Sequence, residues 1–245
     1  MLRFVCIGAQ RAGTSWLFSC LRRHPEIWIP PTKELHFWKF CAVEGAGRDF
    51  IWHLRQYESI FAERGKICGE ISPDYAIMDD ARVSMFAKHY PNTKILYIIR
   101  NPVDMAYSQA KLYFSIFEKK AFENIPEGDV ITYLDGNDVG IRSDFIGTIK
   151  RWRSAFGINQ VLILNFDELS GSPLSFLFRC VKFIGAQDRE YFHTLNPDYL
   201  RMRQNVINDV PMSDTVRNHL VNKFHKKIKE LSEFMGQNFD HWLEK

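Results

Sequence analysis

Apolar residues along this chain fall into two periodicities. Three short unbroken runs, Phe4–Ile7, Ile95–Ile99 and Val161–Leu164, are rich in branched side chains, and each precedes a turn or helix-start signal. Runs of that length without alternation are what strands buried on both faces of a parallel sheet require. The segments between them carry helical spacing. Ser15–Arg23 places Trp16, Leu17, Cys20 and Leu21 on one face. Asp79–His89 and Pro102–Phe117 read as helices, the second with Asn101 as its cap and Pro102 at its first position. Ser172-Pro173 opens another that runs through Phe176, Leu177, Val181 and Phe183 to Gly185. Ser213–Met235 is a long amphipathic helix with Leu220, Phe224, Ile228 and Leu231 inward.

Strands alternating with helices predict an α/β fold, a central and mainly parallel sheet flanked by helices. No internal repeat or low-complexity segment interrupts it. The least regular stretches are Glu118–Ile141 and Thr194–Pro211; the first, with Pro126, Gly128, Gly136 and Gly140, reads as an insertion or lid. No linker divides the chain, so residues 1–245 are expected to form a single domain.

Composition narrows the function classes. The 245 residues are 46% hydrophobic and 25% charged, which excludes a disordered or fibrous chain. A formal charge of +3 is too mild for a protein that binds nucleic acid, and it suits a basic pocket for a small anion. Cys6, Cys20, Cys41, Cys68 and Cys180 are scattered, odd in number and without a CxxC pair, as core thiols in a reducing, cytoplasmic compartment would be. No apolar run approaches the roughly 20 residues that span a bilayer, so stable membrane insertion is not expected. The segment before Gly8 is too short for a secretory signal and reads as a strand. His24, His36, His53 and His89 form no i, i+4 pair, and no metal site is expected.

The first strand runs into Gly8-Ala9-Gln10-Arg11-Ala12-Gly13-Thr14-Ser15 and then into a helix. Small residues there let backbone N–H groups converge, and a helix N-terminus adds positive potential, so the loop reads as a phosphate cradle. Its spacing follows the nucleotide loop GxxxxGK[ST], but Thr14 stands at the lysine position and Arg11 is the loop's cation. A nucleotide kinase would also need a metal-holding acid. The second strand ends instead in Arg100-Asn101-Pro102, with Ser108 eight residues beyond Arg100. Arg100 sits at the carboxyl end of a strand, where open α/β sheets bind ligands, and a guanidinium grips phosphate bidentately. Two anion-binding elements predict a ligand with two separate phosphates.

GAQRAGTSWL after the first strand, followed by ILYIIRNPVDMAYSQ, resembles the sulfotransferases that use 3′-phosphoadenosine-5′-phosphosulfate (PAPS). The resemblance continues through TKELHFW, GEISPDY and RWRSAFGINQVLILNFDEL, and it is nearest to the bacterial and Golgi-type carbohydrate branch. It implies a P-loop NTPase-like sulfotransferase fold, PAPS as donor and 3′-phosphoadenosine-5′-phosphate (PAP) as product. It also implies that Arg11, Ala12, Gly13, Thr14 and Ser15 meet the phosphosulfate while Arg100 and Ser108 meet the 3′-phosphate. Trp16 matches an aromatic that stacks on adenine in the cytosolic branch, or else is a core tryptophan. Arg203 falls where the family places a basic loop over the 3′-phosphate.

Sulfuryl transfer needs a base for the acceptor proton and cations for the leaving phosphate. Glu34 falls on the glutamate that serves as base in the carbohydrate branch. His36 competes for that role, and an extended segment would point both to one face. Lys33 is the candidate cation for the transferring group. Where heparan-modifying relatives carry a lysine after the glutamate of GEISPDY, this chain has Ile71, which argues against a heparan-like acceptor. A small-molecule, lipid or glycan acceptor fits, with the pocket built from Phe40–Trp52 and Phe114–Arg142; nothing in the sequence sets an oligomeric state. The rivals are a P-loop-like nucleotide kinase and a non-catalytic protein that binds 3′-phosphoadenosine nucleotides.

Overall fold

The computed structural model describes residues 1–40, 47–62, 64–187, 190–202 and 210–244. The chain gathers into two compact units, Met1–Ile99 with Ile149–Gln204, and Arg100–Thr148 with Asn205–Lys245.

The first unit is built on β1 (Leu2–Gly8), α1 (Thr14–Leu21), β2 (Ile27–Trp28), α2 (Phe37–Phe40), α3 (Gly47–Ile60), β3 (Ile67–Ile71), α4 (Asp80–His89) and β4 (Lys94–Ile99). The second begins with α5 (Pro102–Leu112), α6 (Glu127–Leu134) and α7 (Asn137–Arg142), and the boundary between the units falls inside α8 (Phe145–Phe156). The first unit resumes with β5 (Val161–Asn165), α9 (Phe166–Gly171), α10 (Pro173–Ile184), α11 (Glu190–Thr194) and α12 (Pro197–Arg201), and α13 (Asp214–Met235) completes the second.

The five strands form one parallel sheet in the order β2-β3-β1-β4-β5. The expected runs at Phe4–Ile7, Ile95–Ile99 and Val161–Leu164 are β1, β4 and β5, and β1 and β4 are buried along nearly their whole length. Two further strands carry weaker signals. β2 has only two residues, and β3 interrupts its apolar run with Gly69 and Glu70. Gly69 is there because β3 passes over Phe4: a Cβ would lie 2.3 Å from that buried ring. Elsewhere in this unit Phe86, Trp152 and Phe156 pack ring against ring.

In the second unit Asn101 accepts the Val103 N–H at 2.9 Å and caps α5, with Pro102 at its first position as expected. Helical geometry then continues through a π turn at Tyr113–Phe117. The stretch expected to be irregular, Glu118–Ile141, instead holds α6 and α7, because Val130, Leu134 and Val139 are buried at helical spacing. α13 buries Val216, Leu220, Phe224, Ile228 and Leu231. It is tied to the end of α6 by Lys223, which donates to the Leu134 carbonyl at 2.6 Å.

One carboxyl lies inside the first unit's core. Glu70, 1% exposed, accepts from the Tyr57 hydroxyl at 2.5 Å and from Ser72 Oγ at 2.9 Å, and it also takes the Tyr75 hydroxyl. Burial raises its pKa from 4.5 to about 7, while the three hydroxyl donors oppose that rise. The folded chain therefore keeps this proton over a pH range in which the unfolded chain has lost it. The stability that the protonated group contributes is full below the ordinary pKa and is lost as pH rises toward about 7.

Two outcomes follow. Gly69→Ala forces a methyl into the Phe4 ring and lowers stability by about 1–3 kcal/mol, read from the midpoint of urea unfolding. Glu70→Gln flattens the pH dependence: between about pH 5 and pH 8 the wild type loses on the order of 2–3 kcal/mol more than the variant. Parallel pH profiles for the two chains would contradict the buried-carboxyl account.

Candidate functional site

The candidate site of the first unit begins where β1 ends. The Ala9 N–H donates to the Ile98 carbonyl of β4 at 2.8 Å, so the chain leaves the sheet with its direction fixed. Arg11 (φ 63°) and Gly13 (φ 83°) then take left-handed conformations that turn the loop back into α1. At Gly13 a Cβ would sit 2.6 Å from Leu169 Cδ2, which adds a packing reason for glycine to the conformational one. Gly13 is also the N-cap of α1, and no side chain caps that helix. By contrast Asp79, Asn101 and Ser213 cap α4, α5 and α13 with their own oxygens. The cap residue itself therefore brings no side-chain oxygen to the start of α1, and a helix N-terminus at such a loop suits an anion. Arg11 and Ser15 are half-buried there, and Ala12 and Thr14 are buried.

Trp16 follows on α1 and is 5% exposed. Its Nε1 donates to the Leu200 carbonyl at 2.9 Å, and its ring meets Phe176 edge-on at 6.0 Å. That packing is the core arrangement, one of the two roles open to it.

Residues 33–38 form the second part. The segment is not extended: Glu34 (φ 66°) and His36 (φ 55°) are both left-handed, a conformation that costs a residue with a Cβ roughly 1–2 kcal/mol. The two side chains nevertheless meet. Glu34 Oε1 pairs with Lys33 Nζ, and Glu34 Oε2 lies 3.4 Å from His36 Nε2. His36 Nδ1 is buried without a hydrogen-bond partner, so the imidazole presents Nε2 to the carboxylate. Glu34 stays 31% exposed and within reach of solvent. The Lys33 charge also reaches the Cys6 thiol on β1, which burial pushes up to about 12 against the opposing pull of the Gly8 hydrogen bond and of Lys33.

Two backbone bonds hold this segment. The Glu34 N–H donates to the Ile71 carbonyl at 3.1 Å, and the Trp38 N–H donates to the Tyr75 hydroxyl at 3.2 Å. Lys39 pairs with Asp74 at 3.1 Å. None of Tyr57, Glu70 and Tyr75 stands out as a site residue from sequence alone. The available signal is a carboxylate and two hydroxyl residues in and beside an otherwise apolar strand.

Arg100 and Ser108 belong to the second unit, where Arg100 directly precedes the Asn101 cap and Ser108 lies on α5; both are half-buried. Arg203 lies outside the described residues, as does Cys41, while Cys6, Cys20, Cys68 and Cys180 are buried free thiols. Among the described residues no helix is long and apolar enough to cross a membrane.

The family model of the sulfotransferase domain matches residues 81–245, a stretch that contains Arg100 and Ser108 and begins after the phosphate loop and Glu34. Human heparan sulfate glucosamine 3-O-sulfotransferase 3B1 is 27% identical over 193 residues, which cover 75% of this chain and 46% of that protein. The chain spans about half the length of such curated relatives. The crystal structure of a sulfotransferase from Alicyclobacillus acidocaldarius superposes with a TM-score of 0.73 at 25% identity, over 99% of this chain and 98% of that one. Mouse sulfotransferase SULT7A1 complexed with PAP shares the fold, with a TM-score of 0.58 at 14% identity, over 96% and 88% of the two chains. With well over half of its length matched by the family model and its α/β fold shared with solved sulfotransferases, the chain belongs to the sulfotransferase domain family.

Proposed function

We propose that the chain acts as a single sulfotransferase domain that moves a sulfuryl group from PAPS to an acceptor hydroxyl or amine, without a metal. The observation that carries this reading is the carboxylate of Glu34, solvent-accessible and held between Lys33 and His36. PAPS, when bound, supplies the sulfuryl group and leaves as PAP. Arg11 and the N–H groups at the start of α1, with Gly13, Thr14 and Ser15, take the phosphosulfate end. Arg100 and Ser108 take the 3′-phosphate. Trp16 has no part in this proposal, because its ring is packed in the core.

Glu34 accepts the proton of the acceptor hydroxyl as that oxygen becomes the nucleophile. Lys33, already beside the carboxylate, places a positive charge where negative charge grows on the transferring group. His36 turns Nε2 toward Glu34 and so serves the carboxylate; the base is Glu34. The kinase reading loses its ground with family membership, and an intact Arg11 and Glu34 favour an enzyme over a binding module.

For the acceptor we favour a sugar or alcohol hydroxyl that does not carry dense negative charge. A glycan is suggested by the heparan sulfate glucosamine named in the relatives, yet Ile71, 1% exposed, stands where the family resemblance implies a lysine in heparan-modifying members. Lys33 and Lys39 are both paired internally, with Glu34 and Asp74. Cytoplasmic location is part of the same proposal and rests on the buried, unpaired thiols.

The base assignment is tested by Glu34→Gln, which keeps the shape and removes the basic oxygen. PAP release with an accepted alcohol or sugar falls by roughly 10²–10⁴-fold, while calorimetric affinity for PAP stays near that of the wild type. A dead His36→Ala beside an active Glu34→Gln would move the role to the imidazole. For the cofactor, Arg100→Ala weakens PAP binding by about 1.5–3 kcal/mol and binding of adenosine 5′-phosphate much less. Equal losses for the two ligands would remove Arg100 from the 3′-phosphate.

A further inference from the structure

Glu34 is placed by a backbone that would not hold itself. Two left-handed residues within three positions form a strained segment, and such conformations persist only where neighbouring groups fix them. One anchor precedes the strain, the Glu34 N–H on the Ile71 carbonyl. The other follows it, the Trp38 N–H on the Tyr75 hydroxyl. That second anchor is a side-chain hydroxyl, which can rotate. It serves the amide only if its proton points elsewhere, leaving a lone pair toward Trp38.

Glu70 supplies the elsewhere. Its carboxyl takes the Tyr75 hydroxyl proton, and its other hydrogen bonds come from Tyr57 at 2.5 Å and Ser72 at 2.9 Å. Tyr57 in turn stacks on Phe37 at 4.7 Å, so both tyrosines that meet Glu70 also touch the residues next to His36. A carboxyl that is 1% exposed is expensive to bury, and here two of its three hydroxyl partners, Tyr57 and Tyr75, reach Phe37 and Trp38.

We infer that Glu70 and Tyr75 are positioning residues for sulfuryl transfer, orienting the Tyr75 hydroxyl so that the Trp38 amide locks the strained 34–36 backbone and aims the Glu34 carboxylate. Neither residue needs to touch donor or acceptor. The inference rests on the reading of Glu34 as the base, and the experiment separates the two.

Full-length Glu70→Gln, Tyr75→Phe, the double variant and Tyr57→Phe are compared with Glu34→Gln at about pH 8, where Glu70 is ionised. Steady-state PAP release, calorimetric PAP affinity and native-state hydrogen exchange of the Trp38 amide are measured on each. Glu70→Gln and Tyr75→Phe each lower kcat about tenfold with PAP affinity within about twofold of wild type, the loss of one oriented hydrogen bond. The double variant is no worse than the poorer single one, because both break the same link. Tyr57→Phe, which keeps its stack on Phe37, changes kcat less than about threefold. The Trp38 amide exchanges at least about tenfold faster in Tyr75→Phe and Glu70→Gln, while β1 amides keep their protection. Unchanged Trp38 exchange or unchanged kcat in Tyr75→Phe, with Glu34→Gln inactive, overturns the positioning role and leaves the base in place. An active Glu34→Gln overturns the base instead, and Trp38 exchange still decides whether Glu70 sets the Tyr75 hydroxyl. Should Glu70→Gln fail to fold, Tyr75→Phe alone decides it.

Discussion

At the carboxyl end of β1 the hydrogen bonding does not stop with the sheet. The Ala9 N–H reaches across to Ile98 of β4, and the Ser72 N–H reaches from the end of β3 to the Cys6 carbonyl. These two bonds, one on each side of the central strand, fix where both neighbouring loops begin. The phosphate loop then turns into α1, and the β3 loop turns back past residues 34–38. The geometry of the candidate site in this unit follows from how three adjacent parallel strands end. Parallel order makes that possible, because it brings all carboxyl ends to one edge.

Burying Glu70 behind that edge is costly. What the carboxyl provides is direction. A leucine there would pack but would leave three hydroxyls, from Tyr57, Ser72 and Tyr75, to choose their own partners. With the carboxyl present the hydroxyl protons share a destination, and the Tyr75 lone pairs are left to accept. The same group carries a proton equilibrium near neutrality, so the core of this unit and its pH response share a cause.

How much of this was legible in the sequence depends on whether pattern or partner decides each element. β1, β4 and β5 announce themselves because two-sided burial selects unbroken apolar residues. β3 does not, since its Gly69 answers to Phe4 and its Glu70 to two tyrosines, contacts between residues far apart in the chain. α6 and α7 were obscured by Gly128, Gly136 and Gly140, which read as breakers. Gly136 is in fact the N-cap of α7, and a Cβ at Gly128 or Gly140 would meet only open space, so those two reflect no packing demand. In the site, the residue types at Arg11, Lys33, Glu34 and His36 were visible, while the conformation was not. An extended strand would also have put Glu34 and His36 together; the structure brings them together by two left-handed turns.

Those turns show a conflict between local and functional demands. The described non-glycine residues with positive φ are Arg11, Glu34, His36 and Lys119, and three of the four lie in the loops that form the candidate site. Glycine would relax the backbone at each of the three. At position 11 it would also delete the loop's cation, at 34 the carboxylate and at 36 the carboxylate's partner. Side chains proposed here to do chemistry thus occupy positions where stability alone selects no side chain. The strain has to be held from outside, by Ile71 and Tyr75 around the base segment and by the packing of Gly13 on Leu169 beside the loop. On the proposed roles, substitutions that stabilise such positions by relieving the backbone are the ones that remove function, while the surrounding anchors tolerate change only so far as they keep the strain in place.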